Sequence, residues 1–316
     1  MNYNENRSKI KQIMTNIKLP DLSVSVTSGL DFFIKNKPRR FRLPRTFRFV
    51  VGSAGAYNMS RMVFADQLAI FANEVNFSKI LKIYRPLIKN RTIKEAAIIS
   101  ASGEKDSIWQ IREAKRAGLK TILLTCTPKS TGTRLAGRSL LFNKNPEPYS
   151  YNFSTYLGMI LATTGEKPEN IKKFLKTIRI AKKLKKYDCF TFILPDNFQP
   201  IADAINVKDD EIFGPYSKLR AYSEGEARHA KFICKSTREL VISFGKNKFF
   251  GLPKNRLDIR LPKSTNYGTV LSAAYYIVGL IQAMGPDYFK KDLPDYCQNT
   301  GPRPYGQKKP FSVIVK

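Results

Sequence analysis

The chain has 316 residues and a mass of 36.0 kDa, with 42% hydrophobic and 25% charged residues. Those values belong to a folded globular protein and exclude a peptide-like module, a collagen-like repeat and a wholly disordered chain. Its 55 Lys and Arg against 25 Asp and Glu leave a formal charge of +30, a field that draws DNA, RNA, acidic membrane or phosphorylated metabolites.

Residues 1 to 45 pair a polar start with a basic run (Lys35, Lys37, Arg39, Arg40, Arg42, Arg45) broken by Pro38 and Pro44, and read as an N-terminal arm. Residues 47–51 form an apolar strand that runs into Gly52-Ser53-Ala54-Gly55 and then a helical pattern through Met62, Leu68 and Phe71. The same grammar returns as a strand at 95–100, a turn at Ser102-Gly103-Glu104, a helix at 106–117 closed by Gly118, and a strand at 121–125. Strands alternating with helices in this way predict βαβ units and a parallel sheet covered on both faces. A buried helix at 156–161 follows, then one basic amphipathic helix over 170–186, which reads as a solvated linker helix in preference to a nucleic-acid or membrane face.

From Asp188 a second, shorter series begins: strand 190–194, helix 201–207, a loop to Glu226, strands 240–244 and 257–261, and helix 268–284. The organisation this predicts is an arm (1–45), a first lobe with linker helix (46–186), a second lobe (187–300) and a tail over the site (301–316). Each lobe is expected to be an α/β, three-layer αβα sandwich with a mainly parallel, flavodoxin-like sheet.

Cys126, Cys189, Cys234 and Cys297 form no CxxC pair, so neither a zinc knuckle nor a disulfide framework is predicted, and a reducing, cytoplasmic compartment is expected. The first 30 residues hold no apolar signal core, and the apolar stretch 269–284 contains Ser272, Tyr275, Tyr276 and Gln282, which argues against a membrane span. A single histidine, His229, excludes sites that need two or three imidazoles on a metal; no metal and no cofactor are expected.

Open parallel sheets bind ligands beyond the carboxyl ends of their strands. Two small-residue turns stand there, Gly52-Ser53-Ala54-Gly55 and Ser100-Ala101-Ser102-Gly103, where backbone N–H groups, hydroxyls and helix N-termini suit a phosphate. Neither turn ends in the Lys-Ser/Thr of a P-loop, and neither gives GxGxxG, which disfavours nucleoside triphosphates and dinucleotides and leaves a smaller phosphorylated ligand.

The stretch Ile98 to Phe142 resembles a sugar isomerase (SIS) domain: Ser100, Ser102, Gly103 and Glu104, then Ala117-Gly118, Thr125, Ser130 and Leu135-Ala136 match its pattern in order. Over residues 45–316 the chain is similar to the isomerase half of glucosamine-6-phosphate synthase and to related amino-sugar-phosphate deaminases and deglycases, with Gly225-Glu226-Ala227-Arg228-His229-Ala230 in the place of a Gly-Glu-Leu-Lys-His-Gly motif.

That resemblance implies a hexose or amino-hexose phosphate held by its phosphate at Gly52, Ser53, Ser100, Ser102, Gly103 and Lys105, with Glu226 also at the site. It implies Glu211 as the base that moves a proton between adjacent sugar carbons, His229 in ring opening, and Lys309 of the tail on the sugar carbonyl. Ala54 and Ala101 depart from the family's hydroxyl and Gln, and Lys105 replaces a phosphate-binding Thr with a charge. One βαβ step is expected to be missing between His229 and Leu240. The start Met1-Asn2 offers no N-terminal cysteine nucleophile, so glutamine-dependent synthesis is not expected.

Two functions compete: an enolising isomerase, deaminase or deglycase, and a sugar-phosphate-binding regulator without turnover. The resemblance also implies a homodimer. The charge admits a nucleic acid partner, but no helix-turn-helix or other DNA-reading module precedes residue 45, which counts against a transcription factor.

Overall fold

The computed structural model describes residues 19–216, 219–302 and 310–316. Its first sheet has five parallel strands, β1 (Arg48–Gly52), β2 (Ala69–Ala72), β3 (Glu95–Ile99), β4 (Lys120–Thr125) and β5 (Arg138–Leu141), in the order β2-β1-β3-β4-β5. A two-residue strand, β6 (Glu147–Pro148), then leads to the second sheet, made of β7 (Cys189–Leu194), β8 (Leu219–Ser223), β9 (Glu239–Phe244) and β10 (Arg256–Ile259). Its order is β10-β9-β7-β8, again all parallel. The winding is the same in both: the first strand lies between the second and third, and the fourth follows the third. Among the described residues the second sheet has no fifth strand.

The two sheets share one apolar core. Val50, Ala97 and Leu124 of the first and Phe192, Leu194 and Ile242 of the second belong to a single buried cluster. The helices between them are correspondingly apolar all round. Tyr267–Gln282 buries thirteen of its sixteen residues, and Ser154–Thr164 buries Ser154 through Ala162. Arg61 ties the lobes at the edge by pairing with Asp203 and Gln199. The outer faces differ. Phe49, Val51, Ile98 and Leu123 anchor a large cluster on the first sheet, whereas only Ile193, Ala227 and Val241 are buried in the corresponding cluster on the second.

Several elements depart from the sequence reading, each for a physical reason. The segment expected to be an arm holds a helix, Leu22–Lys35, whose Leu22, Val26, Leu30 and Phe33 are buried at helical spacing. It lies so close to Tyr267–Gln282 that a Cβ on Gly279 would overlap the backbone of Leu22 and Ser23. The helix after β1 stops at Val63; Phe71 belongs to β2, where pairing with β1 overrides the helical spacing, and Leu68 is left 61% exposed. The basic helix expected over 170–186 is two short ones, Pro168–Leu175 and Ala181–Leu184; between them Ile178 and Ile180 are both buried on either side of the exposed Arg179, an alternation that a helix with one buried face cannot provide. The loop to Glu226 contains β8, and a further helix, Tyr288–Asp295, follows the last expected one.

The shortening of the second lobe lies elsewhere than expected. The step between β8 and β9 is present, carried by the helix Glu224–Ala230. Between β9 and β10, where the first lobe has the helix Asp106–Arg116, there is only the turn Pro253–Asn255.

Candidate active site

Because β1 and β3 are neighbours in register, the turns that follow them lie side by side at the carboxyl edge of the first sheet. Gln110, on the helix after β3, joins the turns by donating to Ser53 Oγ at 3.0 Å. The β3 turn is braced from β4: the hydroxyls of Thr125 and Thr127 both donate to the Ala101 carbonyl, at 2.9 and 3.1 Å.

The two helices begin in the same unusual way. Ala54 (φ 47, ψ −122) and Lys105 (φ 56, ψ −125) precede Gly55–Val63 and Asp106–Arg116 in a conformation that costs a residue with a Cβ about 1–3 kcal/mol. Two glycines make the approach tight enough for these turns. A Cβ on Gly52 would come within 2.7 Å of the Ala56 backbone, and one on Gly103, at φ +63, would overlap the Ser130 hydroxyl.

Above the turns opens a cavity of about 920 Å³. Ser53, Ser100, Ser102 and Lys105 form one wall, and Asp210 and Glu211 stand on another. Lys105 is half-buried, and burial lowers its pKa below the ordinary lysine value, partly offset by Asp106. Its ammonium sits 4.7 Å from the centre of the Phe311 ring. Phe311 stacks on Tyr149 at 5.2 Å, and the C-terminal strand β11 (Ile314–Val315) pairs antiparallel with β6, so the end of the chain closes one side of the cavity. The remaining wall is aromatic: Tyr216 and Tyr288 stack at 3.9 Å, and Tyr288 and Tyr296 flank Asp292 on one helical face.

Glu211 stands in a π-helical turn, Asp209–Phe213, that continues the helix Gln199–Lys208. Its carboxylate is paired with the Lys208 ammonium, which is 3% exposed, also donates to the Ser150 carbonyl and lies 5.6 Å from the Tyr275 ring centre. The pair gives the cavity a fixed carboxylate facing the two serine-bearing turns.

A second carboxylate shapes the site without entering it. Glu147 is buried and accepts from the backbone N–H groups of Phe153, Ser154 and Thr155 at 3.0, 3.1 and 2.8 Å, and from the Thr155 hydroxyl at 2.7 Å. Burial pushes its pKa up, and the four donors oppose that shift. It therefore caps Ser154–Thr164, whose second and third residues, Thr155 and Tyr156, line the cavity. Glu166 does the same for Tyr267–Gln282 through Asn266, Gly268 and Thr269. Nearby, burial drives the Cys126 thiol up to about 12, which leaves it a poor nucleophile at neutral pH.

Of the residues expected at the site, Ser53, Ser100, Ser102, Lys105 and Glu211 meet around this one cavity. Gly52 and Gly103 shape its turns. Glu226 and His229 lie outside the lining, both exposed. Glu226 completes a capping box: Ser223 N–H donates to it at 2.9 Å, and its own N–H donates to Ser223 Oγ at 3.3 Å. His229 occupies the last turn of the same helix. Lys309 falls outside the described residues.

Sequence reading missed Lys208, although Lys208-x-x-Glu211 is an ion-pair spacing on a helix, and it missed the tyrosine wall. Among the described residues no group of three His, Cys, Asp or Glu side chains could hold a metal ion, and no helix is long and apolar enough to cross a membrane.

No family model matches this sequence, and no curated protein matches it by sequence. The fold, in contrast, aligns with many solved structures. The C-terminal domain of glucosamine-fructose-6-phosphate aminotransferase from Francisella tularensis matches at 14% identity with a TM-score of 0.56, over 83% of this chain and 93% of that one. Glucosamine-6-phosphate deaminase from Thermotoga maritima matches at 15% identity and 0.56, over 96% and 100%. Tagatose-6-phosphate ketose/aldose isomerase from Escherichia coli matches at 11% identity and 0.55, over 85% and 91%. At these identities the likeness is one of fold.

Proposed function

The chain has the two-lobed fold of sugar isomerase (SIS) domains, and on that premise we propose that it is an enzyme that enolises a hexose or amino-hexose phosphate. The observation that carries this reading is the cavity itself: the Lys208-held Glu211 carboxylate and the cradle of Ser53, Ser100, Ser102 and Lys105 face the same space. The phosphate docks against the two turns, where hydroxyls and the Lys105 ammonium donate to its oxygens. The sugar extends toward the second lobe. Glu211 takes a proton from the carbon next to the carbonyl and returns one to its neighbour, which interconverts aldose and ketose; with an amino group on that carbon, the same enolisation precedes loss of the amine.

His229 is exposed and lies outside the lining of this cavity. In this reading the protein is a homodimer in which the exposed His229 of one copy enters the cavity of the other and passes a proton at the ring oxygen, while Lys309 closes on the carbonyl. The competing reading, a sugar-phosphate binder without turnover, draws on the same exposure of His229.

Proton NMR in deuterated water with fructose 6-phosphate and with glucosamine 6-phosphate separates the two. Enolisation exchanges the hydrogen on the carbon beside the carbonyl, and Glu211→Gln abolishes the exchange while leaving phosphate affinity within about twofold. Binding of either sugar without exchange in the unaltered protein establishes the regulator instead.

A further inference from the structure

The charge of the chain is not evenly spread. Residues 35–45 and 167–186 together hold fifteen of its 55 Lys and Arg in 31 residues, with Glu169 as their single acid. Distant in sequence, the two segments form one surface. The helix Leu22–Lys35, which leads into the first segment, packs against Pro168–Leu175, and the Lys37 ammonium lies 3.6 Å from Glu169. Farther along, Arg40 lies against Gly165, where a Cβ would overlap its guanidinium. Both short basic helices contact Tyr267–Gln282 through their apolar side, with Ile171, Leu175 and Leu184 buried, so their lysines are turned outward.

Fourteen of the fifteen cations are exposed; the other, Lys172, pairs with Asp31. Among the described residues, that pair and the Lys37–Glu169 pair are the ion pairs of this face, and the other cations have no acidic partner there.

This face cannot serve the cavity directly. Thr155 and Tyr156 line the cavity at one end of Ser154–Thr164, whereas Gly165 and Arg40 mark the other end, about 16 Å away along an eleven-residue helix. We propose that the surface formed by residues 35–45 and 167–186 binds the phosphate backbone of a nucleic acid duplex, independently of the sugar-phosphate cavity.

The partner's chemistry follows from what the face offers and lacks. Closely spaced cations match a duplex, which carries one charge per about 1.7 Å of axis. None of the exposed large hydrophobic side chains among the described residues falls in either segment, so there is no apolar wedge to enter a bilayer. The same lack removes the aromatic platforms on which single strands stack, and it leaves sequence-independent contacts to a duplex backbone.

The test is fluorescence anisotropy of the full chain with two 20-base-pair DNA duplexes of unrelated sequence, from 50 to 300 mM salt. Both duplexes bind with similar affinity, and log K falls linearly with log salt with a slope of about −5 if roughly six phosphates are neutralised. Lys173→Gln, Lys176→Gln, Lys182→Gln and Lys183→Gln combined lower the slope magnitude by about 3 and weaken binding at 100 mM salt at least tenfold. A control with the same loss of charge on the outer face of the first lobe, Lys79, Lys82, Lys115 and Arg116 all changed to Gln, stays within about twofold. All eight side chains are exposed, and circular dichroism of each variant verifies the fold.

Equal loss in the two variants overturns the proposal, because it makes the attraction a property of net charge. So does the absence of duplex binding at 50 mM salt, and so does binding to phosphatidylserine vesicles in preference to the duplex. Neither Lys105→Ala nor bound sugar phosphate alters duplex affinity if the two sites are independent.

Discussion

Lys105 is asked to do two opposed things, and substitution separates them. Its backbone at φ 56, ψ −125 costs about 1–3 kcal/mol that glycine does not incur. Glycine adds about 0.5–1 kcal/mol of chain entropy on folding relative to alanine. Lys105→Gly and Lys105→Ala both lose the ammonium and its position over the Phe311 ring, so that loss cancels between them. The glycine variant is therefore the more stable of the two by about 0–2 kcal/mol. At roughly 2 °C per kcal/mol for a chain of this size, it melts up to about 4 °C higher.

Phosphate affinity moves the other way from strain. Both variants lose a charge-assisted hydrogen bond worth about 1.5–3 kcal/mol, a factor of roughly 10 to 150 in the dissociation constant of fructose 6-phosphate. Ala54→Gly is the control, because the same strained conformation carries no charge there: it gains stability and keeps affinity. Differential scanning calorimetry and titration calorimetry read the two quantities. If Lys105→Ala melts above Lys105→Gly, the strain is not real; if either variant binds the sugar phosphate as tightly as the unaltered chain, Lys105 is not part of the cradle.

The lowered pKa of Lys105 makes affinity fall with rising pH earlier than an ordinary lysine, near 10.4, would allow, and Lys105→Arg flattens that fall. The sign for stability is opposite: between the lowered native value and the unfolded one only the unfolded chain holds the proton, so the ligand-free protein gains stability as pH rises through that window. Lys208→Met removes the ammonium that positions Glu211, and the isotope-exchange rate falls about 100-fold while sugar-phosphate affinity changes less than twofold, measured by the same NMR and calorimetry. Glu147→Ala leaves the buried N–H groups of Phe153, Ser154 and Thr155 without their acceptor; at about 1–3 kcal/mol each, the loss exceeds 3 kcal/mol in urea unfolding.

The local chemistry of the first lobe was legible in the chain. Apolar runs ending in small-residue turns located β1, β3 and β4, and the same turns carry Ser53, Ser100, Ser102 and Lys105 to the cavity. This works because a parallel sheet puts the carboxyl ends of its strands on one edge whatever else the protein does. Some omissions were of signals already present. Leu22, Val26, Leu30 and Phe33 spell a helix face, and Ser223-x-x-Glu226 spells the capping box that begins Glu224–Ala230.

Other features had no local signal. Leu68 and Phe71, three residues apart, suit a helix face, and only pairing with β1 makes Phe71 part of a strand. Nothing near residue 229 says that His229 faces outward. The joining of segments 35–45 and 167–186 into one basic face depends on helices packed around Tyr267–Gln282. Sequence alone determined where chain direction and hydrophobic period set the outcome residue by residue. The tertiary structure decided which side chains meet across long sequence separations, because that depends on how buried surfaces share one core, a choice no window of neighbouring residues contains.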